Sequence, residues 1–121
     1  WIVGMVRREE AAVLEFANKT LGNAEVVAVR GYLDSTTSRL LETHCDGLLH
    51  SGFQSIVLDF AGLNALSSEG LRTILALSKR IQASGARLVF TGIHGSIRDM
   101  FDIAGFLDAF PVVDHAETGI A

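Results

Sequence analysis

One cysteine and one proline occur in the 121 residues. The lone thiol, Cys45, cannot close an internal disulfide, so the cysteine count gives no sign of an oxidising compartment. No apolar run approaches the roughly 20 residues that cross a bilayer as a helix, so membrane insertion is not expected. Cations are the minority: 10 Lys and Arg against 14 Asp and Glu leave a formal net charge of -4, and the adjacent basic pairs are Arg7-Arg8 and Lys79-Arg80. Nucleic acid binding depends on clustered cations, so nucleic acid is not an expected partner. The chain also lacks a G-x-x-x-x-G-K loop, and no G-x-G-x-x-G follows a strand. The histidines, His44, His50, His94 and His115, fall on separate elements without ligand-like spacing, and no serine sits in a G-x-S-x-G elbow. A metal, a cofactor and an active site are therefore not expected; the chain reads as a binding module, not an enzyme.

What is present is ordinary globular composition, 49% hydrophobic and 20% charged, in a length that makes one domain with its own core. Residues 1–10, which start at Trp1, read as an N-terminal extension, and residues 11–121 as the domain. Within it, 11–17 and 25–31 read as strands around a loop at 18–23, an antiparallel hairpin. Asp34, Ser35 and Thr36 offer N-caps for a helix with Leu41, His44, Cys45 and Leu48 at helical spacing, closed by Gly52. Cys45 reads as a small buried hydrophobe on that apolar face.

Ile56, Val57 and Leu58 are consecutive within a strand at 55–60, the pattern of a central parallel strand covered on both faces. A helix to Gly85 follows, with Leu71, Ile74, Leu75, Ser78 and Ile81 on one stripe and Arg72, Lys79 and Arg80 away from it. A strand at 86–92, a helix capped by Ser96 with Ile97, Met100, Phe101 and Ala104 on one face, and a strand at 110–113 complete the order. Pro111 lacks an amide donor and puts that last strand at an edge, and a final helix is expected to open in 114–121. The result is an α/β domain: a mostly parallel sheet of about five strands with an antiparallel N-terminal hairpin strand, and three to four helices.

The chain is organised around Asn64 to Leu75. Ser67 and Ser68 stand where the second long helix begins, followed by Glu69 and Gly70. Serine is a favoured N-cap because its oxygen accepts from otherwise unpaired backbone N–H groups, and Glu69 in the first turn complements the positive end of the dipole. A serine there can also be a switch, since a phosphate would meet the same amides. On local chemistry, capping and modification both stand.

Four segments together resemble the STAS domain, the fold shared by bacterial anti-sigma factor antagonists and the cytoplasmic tails of sulfate transporters. They are GYLD at 31–34, IVLDFAGLNALSSEGLR at 56–72, SGARLVFTG at 84–92 and IRDMFDIAGF at 97–106. The resemblance spans roughly residues 11 to 118, and its most specific piece is Ser67-Ser68-Glu69-Gly70-Leu71-Arg72. In the antagonist branch an anti-sigma factor serine kinase phosphorylates a serine at the start of this helix, and a PP2C-type phosphatase removes the phosphate. The unphosphorylated antagonist binds the kinase and frees the sigma factor.

Aligned through Gly70 and Leu71, the resemblance assigns the acceptor position to Ser68. Asp34 then matches the loop acid beside it, and Ser67 matches a position that many members fill with Asp. Asp34, Ser67, Glu69 and Arg72 are the residues implied for partner contact, and the expected location is the cytoplasm. An alternative implied by the same fold is a STAS scaffold that is not phosphorylated, such as the partner of a lipid ABC transporter or a piece of a transporter tail. An enzyme on a flavodoxin-like sheet is disfavoured by the missing phosphate loop.

Overall fold

The structure, a computed structural model, describes residues 14–113. The expected extension at 1–10, the start of the first strand and the final helix in 114–121 lie outside them. Strands β1 (Leu14–Leu21) and β2 (Ala24–Leu33) form an antiparallel hairpin. The expected loop at 18–23 is shorter than its polar sequence suggests: Asn18 to Leu21 pair with Val27 to Ala24, and only Gly22 and Asn23 turn. Gly22 has φ 62, which a two-residue turn demands. Asn18 and Thr20 stay in the strand because their side chains serve Glu25, a 6% exposed carboxylate on β2. Asn18 Nδ2 donates to it at 3.1 Å and Thr20 Oγ1 at 2.5 Å.

Helix α1 (Ser38–His50), strands β3 (Ser55–Asp59) and β4 (Leu63–Leu66), helix α2 (Ser68–Ala83), strand β5 (Arg87–Thr91), helices α3 (Gly95–Ile103) and α4 (Phe106–Ala109) and strand β6 (Val112–Val113) follow. The sheet has six strands in the order β1-β2-β3-β5-β6, with β4 paired to β2 beyond the end of β3, and every pairing after the hairpin is parallel. Pro111 precedes the edge strand, where its missing N–H costs no ladder bond. No helix among the described residues is long and apolar enough to cross a membrane.

The expected caps shift by a residue or two. α1 starts after Thr37 rather than Asp34, Ser35 or Thr36, because the Asp34 side chain turns back to bind Thr36 instead of a helix amide. α3 starts after His94, with Ser96 already inside it, and Gly105 at φ 83 stops the helix before Phe106 can join it.

All three long helices cover one face of the sheet. Ile56 and Leu58 point into that core with Cys45, Ile74 and Phe101, while Val57 points to a smaller cluster with Val26 and Val89 on the other face. β3 is thus buried on both sides, as its unbroken apolar run implies. Phe90 is the hub of the aromatic part, with Phe101, Phe106 and Phe110 set nearly perpendicular to it at 5.3 to 5.8 Å. Cys45 is completely buried, and burial pushes its thiol up to about 11, which makes it a hydrophobe in practice. Ala104, expected on the buried face of α3, is exposed because the helix has already ended at Ile103.

His44 closes the rim between α1 and β1. Its ring stacks on Phe16 at 4.2 Å, and its Nε2 lies 2.8 Å from Asn18 Oδ1. Desolvation holds its pKa below the ordinary 6.5, and the negative charge of Glu25 opposes that only in part. The folded chain therefore resists protonation that the unfolded chain accepts. Stability contributed by neutral His44 is complete above about pH 6.5 and is lost as pH falls below it toward the folded value. Urea midpoints at pH 7.5 and 5.5 should differ more for the parent chain than for His44→Gln; an equal difference would remove His44 from the pH response.

Candidate functional site at the α2 N-terminus

β3 stops at Asp59 and the chain turns through Ala61 and Gly62 before resuming beside β2 as β4. Gly62 is required by closeness: a Cβ there would lie 2.7 Å from Arg30 Cγ. The Gly31 amide donates to Gly62 O at 3.1 Å, and the pairing then shifts by one residue, giving Tyr32↔Ala65 and Leu33↔Leu66. The next residues, Asp34 and Ser67, leave the sheet side by side. Asp34 and Ser67 lie more than thirty positions apart in sequence, and the resemblance alone implied that they are neighbours; the unforeseen strand β4, paired to β2, is what brings them together.

Ser67 is the N-cap of α2, with φ -91 and ψ 171. Its amide donates to Leu33 O at 3.0 Å, and its Oγ accepts from the Gly70 amide at 3.0 Å. Both ends of this residue are thus engaged, and it is only half-buried. Ser68, the first residue of the helix, is exposed, and its hydroxyl has no hydrogen-bond partner among the described residues. The two serines, alike in sequence, are divided by the fold into a cap and a free hydroxyl. Ser67→Ala should cost about 1 kcal/mol of stability, the usual cost of losing a serine cap, and should leave the Ser68 hydroxyl available; urea denaturation measures the first and phosphate incorporation the second.

Gly70 lies on the inner side of the first turn, and a Cβ there would stand 2.5 Å from Leu33 O and 2.9 Å from Leu66 Cδ1. The helix N-terminus therefore rests directly on the ends of β2 and β4. Glu69 and Arg72 are exposed on the same turn and the next. The α2 stripe differs from the expected one: Gly70, Ile74, Leu77, Ser78 and Ile81 face the core, while Leu75 is 39% exposed. Close seating of Gly70 on Leu33 fixes the rotation of the helix and turns Leu75 outward.

Asp34 makes a compact turn of its own. Its Oδ1 accepts from the Thr36 amide at 2.9 Å and from Thr36 Oγ1 at 2.6 Å, and its amide donates to Thr37 Oγ1 at 3.0 Å. The Thr36 hydroxyl, chief among these contacts, holds the carboxyl below the usual carboxylate range. Asp34 is accordingly a fixed negative charge at the strand end rather than a helix cap.

On the sheet face away from the helices, an open cleft of about 520 Å³ is lined by Glu15, Arg30, Gly31, Tyr32, Gly62 and Asn64. Tyr32 and Asn64 had no distinguishing sequence signal, because their proximity depends on the β2–β4 pairing. No group of three or more His, Cys, Asp or Glu among the described residues could hold a metal ion. The site offers an exposed hydroxyl at a helix N-terminus and charges of both signs, a set suited to carrying a modification and meeting another protein.

A six-stranded sheet covered by helices on one face, with a serine-capped helix resting on paired strand ends, defines a single α/β domain. Residues 15–119 match the STAS domain, and the chain belongs to that family. It is 30% identical over 96 residues to a Bordetella bronchiseptica protein named as the anti-sigma factor antagonist BtrV, covering 79% of this chain and 83% of that protein. Its fold is shared by an anti-sigma factor antagonist from Mycobacterium paratuberculosis, with a TM-score of 0.80 at 17% identity over 90% of this chain and 92% of that one. The phosphorylated form of the Bacillus cell fate determinant SpoIIAA matches with a TM-score of 0.68 at 18% identity over 88% of this chain and 96% of that one.

Proposed function

We propose that this chain is an anti-sigma factor antagonist that works by partner switching in the cytoplasm. Unmodified, it binds an anti-sigma factor serine kinase through the surface around Asp34, Ser67, Ser68, Glu69 and Arg72, so that the sigma factor is released. The kinase then transfers the γ-phosphoryl group of ATP to Ser68. The serine oxygen forms the new O–P bond, the bond from the γ-phosphorus to the bridging oxygen breaks, ADP leaves, and the serine proton passes to a base of the kinase. The modified chain dissociates, and a PP2C-type phosphatase restores it by hydrolysis. The chain itself acts by binding and supplies no catalytic group.

The observation that carries this reading is the division of labour between the serines: Ser67 Oγ is committed to the Gly70 amide, whereas Ser68 is exposed and has no hydrogen-bond partner among the described residues. The antagonist name of the Bordetella relative supports it. Added at the helix N-terminus, a phosphate of about -1.5 to -2 charges is tolerated within the domain. At a docked surface the same charge must be desolvated against the partner, and binding is lost there.

Calorimetry with the cognate kinase tests the cycle. The chain should bind before phosphorylation, fail to bind after it, and recover on treatment with a PP2C-type phosphatase; equal affinity in both forms contradicts it and would leave the non-phosphorylated scaffold as the reading.

A further inference from the structure

Ser68, Arg72, Leu75 and Lys79 are spaced by four, three and four residues along α2, so they share one outward face of the helix, and all are exposed. The neighbouring cation Arg80 is bound to Asp46 of α1. Arg72, by contrast, has no ion pair among the described residues, not even with Glu69 three residues before it. A guanidinium thus stands one helical turn beyond a hydroxyl, neither of them with a partner among the described residues.

We propose that Arg72 is the residue that reads the state of Ser68: with the hydroxyl free it is presented to an acidic group of the partner, and with Ser68 phosphorylated it folds back one turn and pairs with the phosphate. This rests on the phosphorylation of Ser68 proposed above. An acid at position i with a base at i+4 is the favoured order on a helix, and the fork of a guanidinium matches phosphate oxygens. Glu69 competes for the same cation with one negative charge, against about -1.5 to -2 on the phosphate. Phosphorylation would then both add an anion to the docking surface and withdraw a cation from it. Leu75 and Lys79, two and three turns beyond Ser68, keep their positions in both states and carry the part of the contact that does not switch.

The pairing can be tested without a kinase by placing phosphoserine at position 68 during translation and following its second ionisation by ³¹P NMR. That ionisation ordinarily falls near pH 6. It should be lower in the parent than in Arg72→Ala by about 0.2 to 0.4 of a unit, with Arg72→Lys between them. Asp34, Glu69 and the helix amides are common to all three and cancel in the comparison. Superimposable titrations would overturn the proposal.

The second measurement is the ratio of kinase affinities for unmodified and phosphorylated chain. Arg72→Ala should shrink that ratio by about threefold to tenfold, the range expected of one charge pair across an interface. Lys79→Ala should weaken both forms alike. An unchanged ratio in Arg72→Ala overturns the reading role even where the titration shows the pair. A kinase that does not distinguish the two forms of the parent chain sinks the proposed function instead, and the titration alone then decides whether Arg72 and the phosphate meet.

Discussion

Ser68→Ala should stay bound to the kinase in the presence of ATP and magnesium, under conditions where the parent chain is released. Loss of the hydroxyl removes the only atom on which the proposed switch acts. It should hardly disturb the fold, because Ser68 is exposed and makes no side-chain hydrogen bond among the described residues; a change within about 0.5 kcal/mol is typical of such a surface position. Full phosphorylation of the parent should weaken kinase binding by more than a hundredfold, a difference of about 3 kcal/mol. Ser68→Asp brings one charge and no tetrahedral group of oxygens, so its loss should be smaller, about tenfold. Binding measured by surface plasmon resonance for the two variants and for the parent in both forms tests this ordering. Release of Ser68→Ala by ATP and magnesium at the parent's rate would place the switch elsewhere.

Gly70→Ala carries the second large effect, this time on the fold. Within a helix, replacing glycine by alanine ordinarily stabilises by about 1 kcal/mol, since less backbone entropy is lost. Here the new Cβ would lie 2.5 Å from Leu33 O and 3.0 Å from Leu33 C, both backbone atoms of a strand end. Neither can swing aside as a flexible side chain can, so the first turn of α2 must lift from β2. Leu33 O also receives the Ser67 amide, and the lift strains that bond together with the cap. A net loss of about 1 to 3 kcal/mol follows from overpacking of this kind.

Gly47 provides the contrast. It lies within α1 with nothing inside 4 Å of its Cβ position, and Gly47→Ala should gain about 0.5 to 1 kcal/mol. Urea denaturation of both variants decides: a Gly70→Ala chain as stable as Gly47→Ala would mean that α2 does not sit on Leu33 as described. Because the same displacement moves Ser68, Gly70→Ala should also slow phosphorylation.

The hairpin, β3, β5 and the long helices were legible because each is specified by its own residues. Ile56-Val57-Leu58 reads as a strand buried on both faces from sequence alone, and Ser67 followed by Glu69 and Gly70 reads as a helix start. β4 was not legible. Its four residues, Leu63 to Leu66, are short and only partly buried, and what makes them a strand is the shifted pairing with Gly31 to Leu33, a tertiary contact. Leu75 was misplaced for a related reason. Helical spacing admits it to a broad apolar stripe, but contact at Gly70 sets the rotation of α2, and periodicity cannot show which edge of a stripe turns outward. The choice between Ser67 and Ser68 lay beyond local pattern as well, since either could cap; the hydrogen bond to the Gly70 amide separates them.

The most direct test of the central claim is to incubate the chain with its kinase, ATP and magnesium and to locate the added phosphate by peptide mass spectrometry. A single phosphate on Ser68, absent from Ser68→Ala and retained in Ser67→Ala, is the result expected. Phosphate on Ser67 in the parent chain, or no phosphate from a kinase that nevertheless binds tightly, would contradict it.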